Sequence, residues 1–102
     1  MNENEILQYK DEIVELTTLL NTKWAASKKV LLEKYGINTK ESLLVGYYET
    51  EEGAEYGILM TKEREIIQFV IRRGKVYKRI TKDVNKLEKA HPPVTVALHY
   101  WE

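Results

Sequence analysis

The chain of 102 residues contains no cysteine. This absence excludes a disulfide framework, thiolate metal sites and cysteine nucleophiles, and it is compatible with a reducing compartment. No apolar run approaches the roughly 20 residues that a membrane-spanning helix needs. The N-terminus is acidic and polar, unlike a signal peptide. We therefore expect a cytoplasmic protein with no membrane partner.

The chain also lacks a net charge of either sign, because its 16 basic residues balance its 16 acidic ones. Dedicated nucleic-acid-binding domains are usually clearly basic, so this balance argues against that class. The charges are nevertheless unevenly placed. Residues 42–63 hold one basic and five acidic residues, whereas residues 64–89 hold nine basic and three acidic ones. Such asymmetry is typical of a binding surface.

Catalytic and cofactor motifs are missing as well. His91 and His99 are isolated in the sequence and lack metal-ligand spacing. The glycines form no phosphate-binding motif. We therefore predict no catalytic residue, no cofactor and no metal site. An alternative function is ligand binding or catalysis in a small pocket around His99. This pocket would be lined by Tyr47, Tyr56, Phe69 and Tyr100.

Helical patterns fill the N-terminal third of the chain. Apolar residues recur at steps of three and four through about residues 3–35, which predicts either one helix or a helix pair broken near Asn21-Thr22. Asn2, with Glu5 three residues later, is typical of a helix start. Tyr35-Gly36-Ile37 fits a helix that ends on a glycine in the Schellman pattern.

The clearest β-hairpin covers residues 66–81. Arg73-Gly74 can form a two-residue turn, because glycine readily adopts the positive φ that such turns require. This turn places Ile71 opposite Val76, Phe69 opposite Lys78 and Ile67 opposite Ile80. Lys78 is then a charged residue over Phe69 or at the rim of the core.

The other turns are predicted by the same reasoning. If Glu52-Gly53 is a two-residue loop, Tyr47 faces Ile58 and Tyr48 faces Gly57. If Glu63-Arg64 closes the next hairpin, the second and third strands pair as Met60–Ile67, Ile58–Phe69 and Tyr56–Ile71. These registers agree on one core face, which favours an antiparallel meander.

The C-terminal part contains two further patterns. Residues 82–90 have helical composition, with Thr81 as a candidate N-cap, and His91-Pro92-Pro93 is expected to end this segment. Residues 94–101 alternate between apolar and other side chains, which predicts a last strand.

Together these patterns predict a single α+β domain over residues 1–102. A helix or helix pair (about 3–35) packs on an antiparallel sheet, with a short helix or a turn at 82–90. The sheet has about five strands, at 43–50, 55–62, 65–72, 75–81 and 94–101.

One face of the predicted sheet is unusually apolar and aromatic for a solvated surface. Either helices cover it, or it binds a partner, since Tyr, Trp and Arg are enriched at protein interfaces. The partner-binding hypothesis assigns this role to Tyr48, Leu59, Ile66, Val70, Tyr77, Arg79 and Trp101.

The basic hairpin offers an alternative, nucleic-acid-binding surface. Its cationic residues could contact phosphates while an aromatic ring stacks on a base. These residues are Arg72, Arg73, Lys75, Lys78 and Arg79. Turns alternate between the two ends of a meander, so the acidic turn near Gly53 should lie beside this tip and weaken its field.

From the sequence we expect a small cytoplasmic, non-enzymatic protein-interaction or regulatory domain. A regulator or inhibitor of the kind carried by bacteria or phages fits its size and composition. It would bind a protein partner, or a second copy as a homodimer, through the aromatic sheet face and the charged hairpin tips. The alternatives are the nucleic-acid-binding module and the ligand pocket around His99.

Overall fold

Two helices precede a sheet and two more follow it in the computed structural model, which describes residues 1–22 and 26–101. The radius of gyration is 13.1 Å, as expected for one compact domain of this length. The elements are α1 (Glu3–Leu20), α2 (Ala26–Lys34), β1 (Leu43–Glu49), β2 (Glu55–Met60), β3 (Ile66–Arg72), β4 (Lys75–Ile80), α3 (Val84–Ala90) and α4 (Pro92–His99).

The N-terminal region forms a helix pair, which decides between the two predictions. Asn2 caps α1 by accepting a 2.9 Å hydrogen bond from the Glu5 N–H, as predicted. At the other end, Asn21 is the C-cap of α1, and Thr22 Oγ1 donates to the Leu19 carbonyl at 3.0 Å. Residues 23–25 of the predicted helical region lie outside the described residues.

The end of α2 follows the predicted Schellman pattern. Gly36 has a φ of 85°, and its N–H donates to the Glu33 carbonyl at 3.0 Å. The Ile37 N–H donates to the Leu32 carbonyl at 3.1 Å, and both side chains are buried in the same cluster. The backbone bonds and the apolar contact together end this helix.

In the part of the chain that the structure describes, the sheet has four antiparallel strands in the order β1-β2-β3-β4. The last hairpin has the predicted register, with Ile71 opposite Val76. Arg73 and Gly74 both have positive φ, at 51° and 74°, as in the type I′ turns that join strands through two residues.

The predicted registers of the first two hairpins are wrong by one residue, because their loops contain three residues. Thr50 N–H donates to the Ala54 carbonyl at 2.8 Å, and Thr61 N–H donates to the Glu65 carbonyl at 2.9 Å. Each threonine hydroxyl also accepts a bond from the residue four positions later. In both loops the third residue is left-handed: Gly53 has a φ of 81° and Arg64 a φ of 65°.

The shifted registers change which side chains share a face. Tyr48 lies opposite Tyr56 rather than Gly57, and Met60 lies opposite Ile66 rather than Ile67. A β-bulge between Leu44 and Gly46 moves the first part of β1 by one further position.

The predicted strand at 94–101 is wrong, because Pro92–His99 forms α4. The two prolines do not only end α3: they stand at the first positions of α4, where their fixed φ suits a helix and the missing N–H costs nothing. The apolar residues at Val94, Ala97, Leu98 and Trp101 have helical as well as alternating spacing. The segment 82–90, predicted as a short helix or a turn, contains the helix α3, whose N-cap is Asp83, not Thr81.

Among the described residues, buried side chains form two clusters, one on each face of the sheet. The first lies beneath α3 and α4 and includes Ile13, Val45, Ile58, Met60, Ile66, Leu87, Val94, Val96 and Ala97. The second lies beneath α2 and includes Leu20, Leu32, Ile37, Leu44, Leu59, Phe69, Ile71 and Val76. Helix α1 contributes to both clusters and packs along β1.

Candidate functional site

A row of apolar and aromatic side chains crosses all four strands on the face that α3 and α4 only partly cover. Tyr48 pairs with Tyr56, Tyr56 with Val70, and Val70 with Tyr77, one from each strand in order. Directly opposite residues of an antiparallel sheet point to the same face. We call Tyr48, Tyr56, Val70 and Tyr77 the aromatic row.

The aromatic row stays accessible because the helices cover only the neighbouring part of this face. Met60 and Ile66, each four residues along its strand from the row, are 5% and 2% exposed beneath the helices. Tyr48 and Tyr77 are 43% and 59% exposed, while Tyr56 and Val70 are half-buried. The face therefore has a covered half and an open half, and the row lies on the open one.

Hydrogen bonds and ring contacts hold the middle of this face in place. The Tyr48 and Tyr56 rings stack with centroids 6.1 Å apart, and Tyr48 Oη lies 3.2 Å from His91 Nδ1. Gln68 Nε2 donates to Tyr56 Oη at 2.6 Å, and Thr81 Oγ1 donates to Gln68 Oε1 at 2.9 Å. This chain of contacts orders the side chains before any ligand binds, which lowers the entropy cost of binding.

Electrostatics differ between the two ends of the aromatic row. Burial, with the nearby Tyr56 and Glu12 groups, raises the pKa of Tyr48. At the other end, strand alternation puts Arg72, Lys75 and Arg79 on the same face as Tyr77. The β1 end of the row therefore lies near the acidic Glu12, and basic side chains surround the β4 end.

Two adjacent depressions lie on the open half of the face. A groove of about 240 Å³ lies along β3 and β4 and is lined by Tyr56, Gln68, Phe69, Val70, Tyr77, Lys78 and Arg79. A broader depression of about 590 Å³ lies between β4 and α3, with Arg79, Lys82 and Lys86 in its wall. Gln68 and Arg79 line both, so the two depressions are neighbours.

The structure brings together only part of the predicted partner-binding set. Tyr48, Val70, Tyr77 and Arg79 lie on the open half of the face, as the hypothesis requires. Leu59 does not, because the one-residue shift turns it to the α2 side, where it is fully buried.

The other two members of that set are structural. Ile66 is on the same face but is buried beneath the helices. Trp101 packs half-buried against the same cluster, and its carbonyl accepts a 3.0 Å hydrogen bond from Arg64 Nη2. Arg64 Nη1 donates to the Leu98 carbonyl at 2.9 Å, so this arginine ties the β2–β3 turn to the end of α4.

The residues of the alternative nucleic-acid-binding surface do not all lie on one face of the sheet. Arg72, Lys75 and Arg79 are on the open face, and Arg73 is in the β3–β4 turn. Lys78 points to the other face, where its Nζ lies 3.0 Å from the position that a Cβ on Gly36 would occupy. A cation at that place is favourable, because Gly36 follows the C-terminal end of α2.

The charged tips are neighbours, as predicted. One pocket of about 340 Å³ is lined by Glu52 and Gly53 from one turn and Arg72 and Arg73 from the other. The acidic turn therefore offsets part of the field of the basic turn.

Two residues at the site were not predicted there: Tyr56 and His91. Tyr56 joins the row only in the observed register, which depends on three-residue loops. A threonine before each loop, at Thr50 and Thr61, was the available signal, since threonine hydroxyls commonly bond to turn backbone. His91 reaches the row because it lies at the junction of α3 and α4.

The tyrosines of the third predicted site are separated. Tyr47 packs on the α2 face with Phe69, whereas Tyr56 lies on the opposite face. His99 ends α4 with a side chain 60% exposed, and its Nε2 lies 2.8 Å from Glu88 Oε1. The pocket predicted around His99 is not assembled from these side chains.

A polar contact of a different kind links α2 to the sheet. Lys28 Nζ donates to Tyr47 Oη at 2.8 Å, while Tyr47 and Lys28 both contact the Glu55 carboxylate. Burial, and then the hydrogen bond to Glu55, raises the pKa of Tyr47 to about 12. Burial opposes the charge of Glu55, but the hydrogen bonds from Lys28 and Tyr47 outweigh it and lower its pKa. This triad stabilises the packing of α2 at neutral pH.

The described residues, 1–22 and 26–101, contain no cluster of three or more histidine or acidic side chains placed to hold a metal ion. None of the helices in this part of the chain is both long enough and apolar enough to cross a membrane.

Comparisons with protein families, with curated proteins and with solved structures find no match to this chain.

Proposed function

We propose that this chain is a non-enzymatic protein-interaction domain that binds a protein partner on the open half of its sheet. The aromatic row carries the proposal. It places two exposed tyrosines, a half-buried tyrosine and a valine in one line across the sheet, with Arg79 beside them. Tyrosine and arginine are the side chains that most often dominate protein interfaces.

The shape of the site also supports a protein partner. The row and the two adjacent depressions form an extended, shallow surface instead of an enclosed cavity. Shallow surfaces suit macromolecules, whereas small ligands are usually bound in concave sites that bury most of their area. Ordered tyrosines contribute a large contact area at low entropic cost.

Single-stranded nucleic acid is a second candidate, and one observation favours it. Arg72, Lys75 and Arg79 surround the exposed ring of Tyr77, an arrangement that can hold phosphates around a stacked base. The balanced net charge and the proximity of Glu12 to Tyr48 favour a protein instead. A salt-dependent gel shift that Arg79→Glu abolishes would support this candidate.

The wider biological role rests on the sequence predictions. A cytoplasmic location, a regulatory or inhibitory role and a bacterial or phage-type origin stay predictions, as does homodimer formation through the open face. Sedimentation of the isolated chain tests the last of these, since a strict monomer at high concentration would exclude it.

Affinity capture with matched variants tests the proposal. The immobilised wild-type chain, Tyr77→Glu and Val30→Glu are each incubated with nuclease-treated extract of the native host, and bound proteins are quantified by mass spectrometry. Tyr77 and Val30 are similarly exposed, at 59% and 64%, but Val30 lies on α2, which covers the other face. We expect a partner that Tyr77→Glu loses and Val30→Glu retains. An identical set of proteins on all three chains would contradict the proposal.

A further inference from the structure

The two edge strands of the sheet differ in whether a helix packs along them. Strand β1, at one edge, is covered by α1, and the Leu44 N–H donates to Thr17 Oγ1 at 2.9 Å. Strand β4 forms the other edge. An uncovered edge strand presents backbone donors and acceptors to which another strand can pair.

The register identifies the outward groups of β4. Thr81 N–H donates to the carbonyl of Ile66, its opposite residue, at 2.8 Å. Bonded pairs alternate along an antiparallel ladder, so Arg79, Tyr77 and Lys75 bond to β3. The backbone groups of the residues between them point away from β3; these residues are Val76, Lys78 and Ile80. No hydrogen bond from another element within residues 1–22 and 26–101 reaches these groups.

The side chains of this edge carry one sign of charge. Lys75, Lys78 and Arg79 belong to β4, which has no acidic residue, and Lys82 follows it. Pairing of β4 with β4 of a second copy would bring like charges together across the new ladder, which is unfavourable. The edge therefore repels its own copy and attracts an acidic strand.

Apolar surface is also available at the edge. Ile80 is 58% exposed on the α2 side, and Tyr77 is 59% exposed on the open face. A strand added beside β4 would alternate its side chains between these two faces. The two faces therefore call for different residues at alternate positions of the added strand.

We propose that β4 binds an extended, acidic segment of a partner protein as a fifth strand of the sheet. The inference rests on the proposed function and specifies how the partner docks. Main-chain bonds to Val76, Lys78 and Ile80 supply affinity, and alternate side chains supply specificity. On the open face the segment places acidic residues near Lys75 and Arg79. On the other face it places apolar residues near Ile80.

A synthetic peptide tests the inference directly. The probe is a nine-residue peptide in which glutamate and valine alternate, titrated at low salt into the full chain and followed by amide exchange. We expect exchange at Val76, Lys78 and Ile80 to slow on binding. A peptide with lysine in place of glutamate should not bind. Absence of binding at millimolar peptide, or binding that leaves these three amides unprotected, overturns the inference.

Two substitutions of Lys78 separate the contribution of its backbone N–H to binding from that of its side-chain charge. Lys78→Pro removes an outward N–H that makes no bond to β3, and proline is tolerated at edge strands in such positions. Lys78→Thr removes the charge but keeps the N–H. We expect the proline variant to bind the peptide at least about tenfold more weakly than the threonine variant. Equal affinity contradicts strand addition.

Peptide chemistry covers the case in which the proline variant does not fold. N-methylation of alternate peptide amides should abolish binding for one set of positions and spare the other. Equal effects of the two sets overturn the inference, as does binding of oligothymidine to the same edge in place of the peptide. If Tyr77→Glu loses the captured partner while Lys78→Pro retains it, the strand addition fails and the proposed function stands.

Discussion

The ring of Phe69 lies directly on the backbone of Gly57, its cross-strand neighbour, so that a Cβ built on Gly57 would overlap the ring. The aromatic ring fills the space that the missing side chain leaves on β2. Phe69 is 2% exposed in this position. The pairing explains why a glycine stands in the middle of a buried strand, where it would otherwise weaken the sheet.

Gly57→Ala should therefore destabilise the protein by about 1–3 kcal/mol, because the ring or the strand must move. Urea unfolding measures the change. In the background of Phe69→Leu, the same substitution should cost less than half as much, because a smaller side chain leaves room for the methyl group. An equal cost in both backgrounds would show that the ring is not the cause.

Thr17→Val should destabilise the protein by about 1 kcal/mol, because it leaves the Leu44 N–H without its acceptor at the covered edge of β1. Denaturant unfolding provides the comparison. Thr18→Val is the matched control, since Thr18 is exposed on the same helix. If the two variants lose the same stability, the hydrogen bond contributes nothing beyond helix propensity.

Local signals in the sequence were sufficient for part of this fold. The Arg73-Gly74 turn, the Asn2 cap and the Tyr35-Gly36-Ile37 helix end each depend on a few neighbouring residues, and all three are observed. Their stereochemistry is determined locally, so no tertiary information was needed.

Other parts depend on interactions that the sequence pattern does not show. A glycine or arginine in left-handed conformation fits a two-residue or a three-residue loop, and the threonine bonds at Thr50 and Thr61 decide between them. The same ambiguity affects residues 94–101, whose apolar positions suit a strand and a helix. The candidate site was predicted only in part, because the loop lengths were not. The one-residue shift in strand register removes Leu59 from the face that carries the aromatic row and adds Tyr56 to it.

The stability contributed by Tyr47 should decrease in alkaline solution. Its pKa is about 12 in the folded protein against 10.0 ordinarily. A raised pKa means that the contribution is complete below pH 10 and is lost as the pH rises through 12. We expect the difference in unfolding free energy between wild type and Tyr47→Phe to narrow across this range. A constant difference would contradict the role of the hydroxyl proton.

The stability contributed by Glu55 should decrease in acidic solution, opposite to the pH dependence of Tyr47. Its pKa is lowered from the ordinary 4.5, so its contribution is complete above that pH and is lost as the pH falls through the lowered value. Glu55→Gln should cost about 1 kcal/mol at pH 7, since the ion pair with Lys28 is only partly buried. Unfolding curves below pH 4.5 should converge with those of the wild type. Curves that stay apart would contradict this assignment.

Calorimetric titration of the captured, purified partner against the wild-type chain, Tyr77→Ala and Val30→Ala tests the central claim most directly. Truncating an aromatic hot-spot residue costs about 2 kcal/mol or more, so Tyr77→Ala should raise Kd by at least about tenfold. Val30→Ala should leave Kd unchanged, because Val30 is on α2, away from the open face. An unchanged Kd for Tyr77→Ala, with a raised Kd for Val30→Ala, would place the interface on the other side of the molecule and contradict the account.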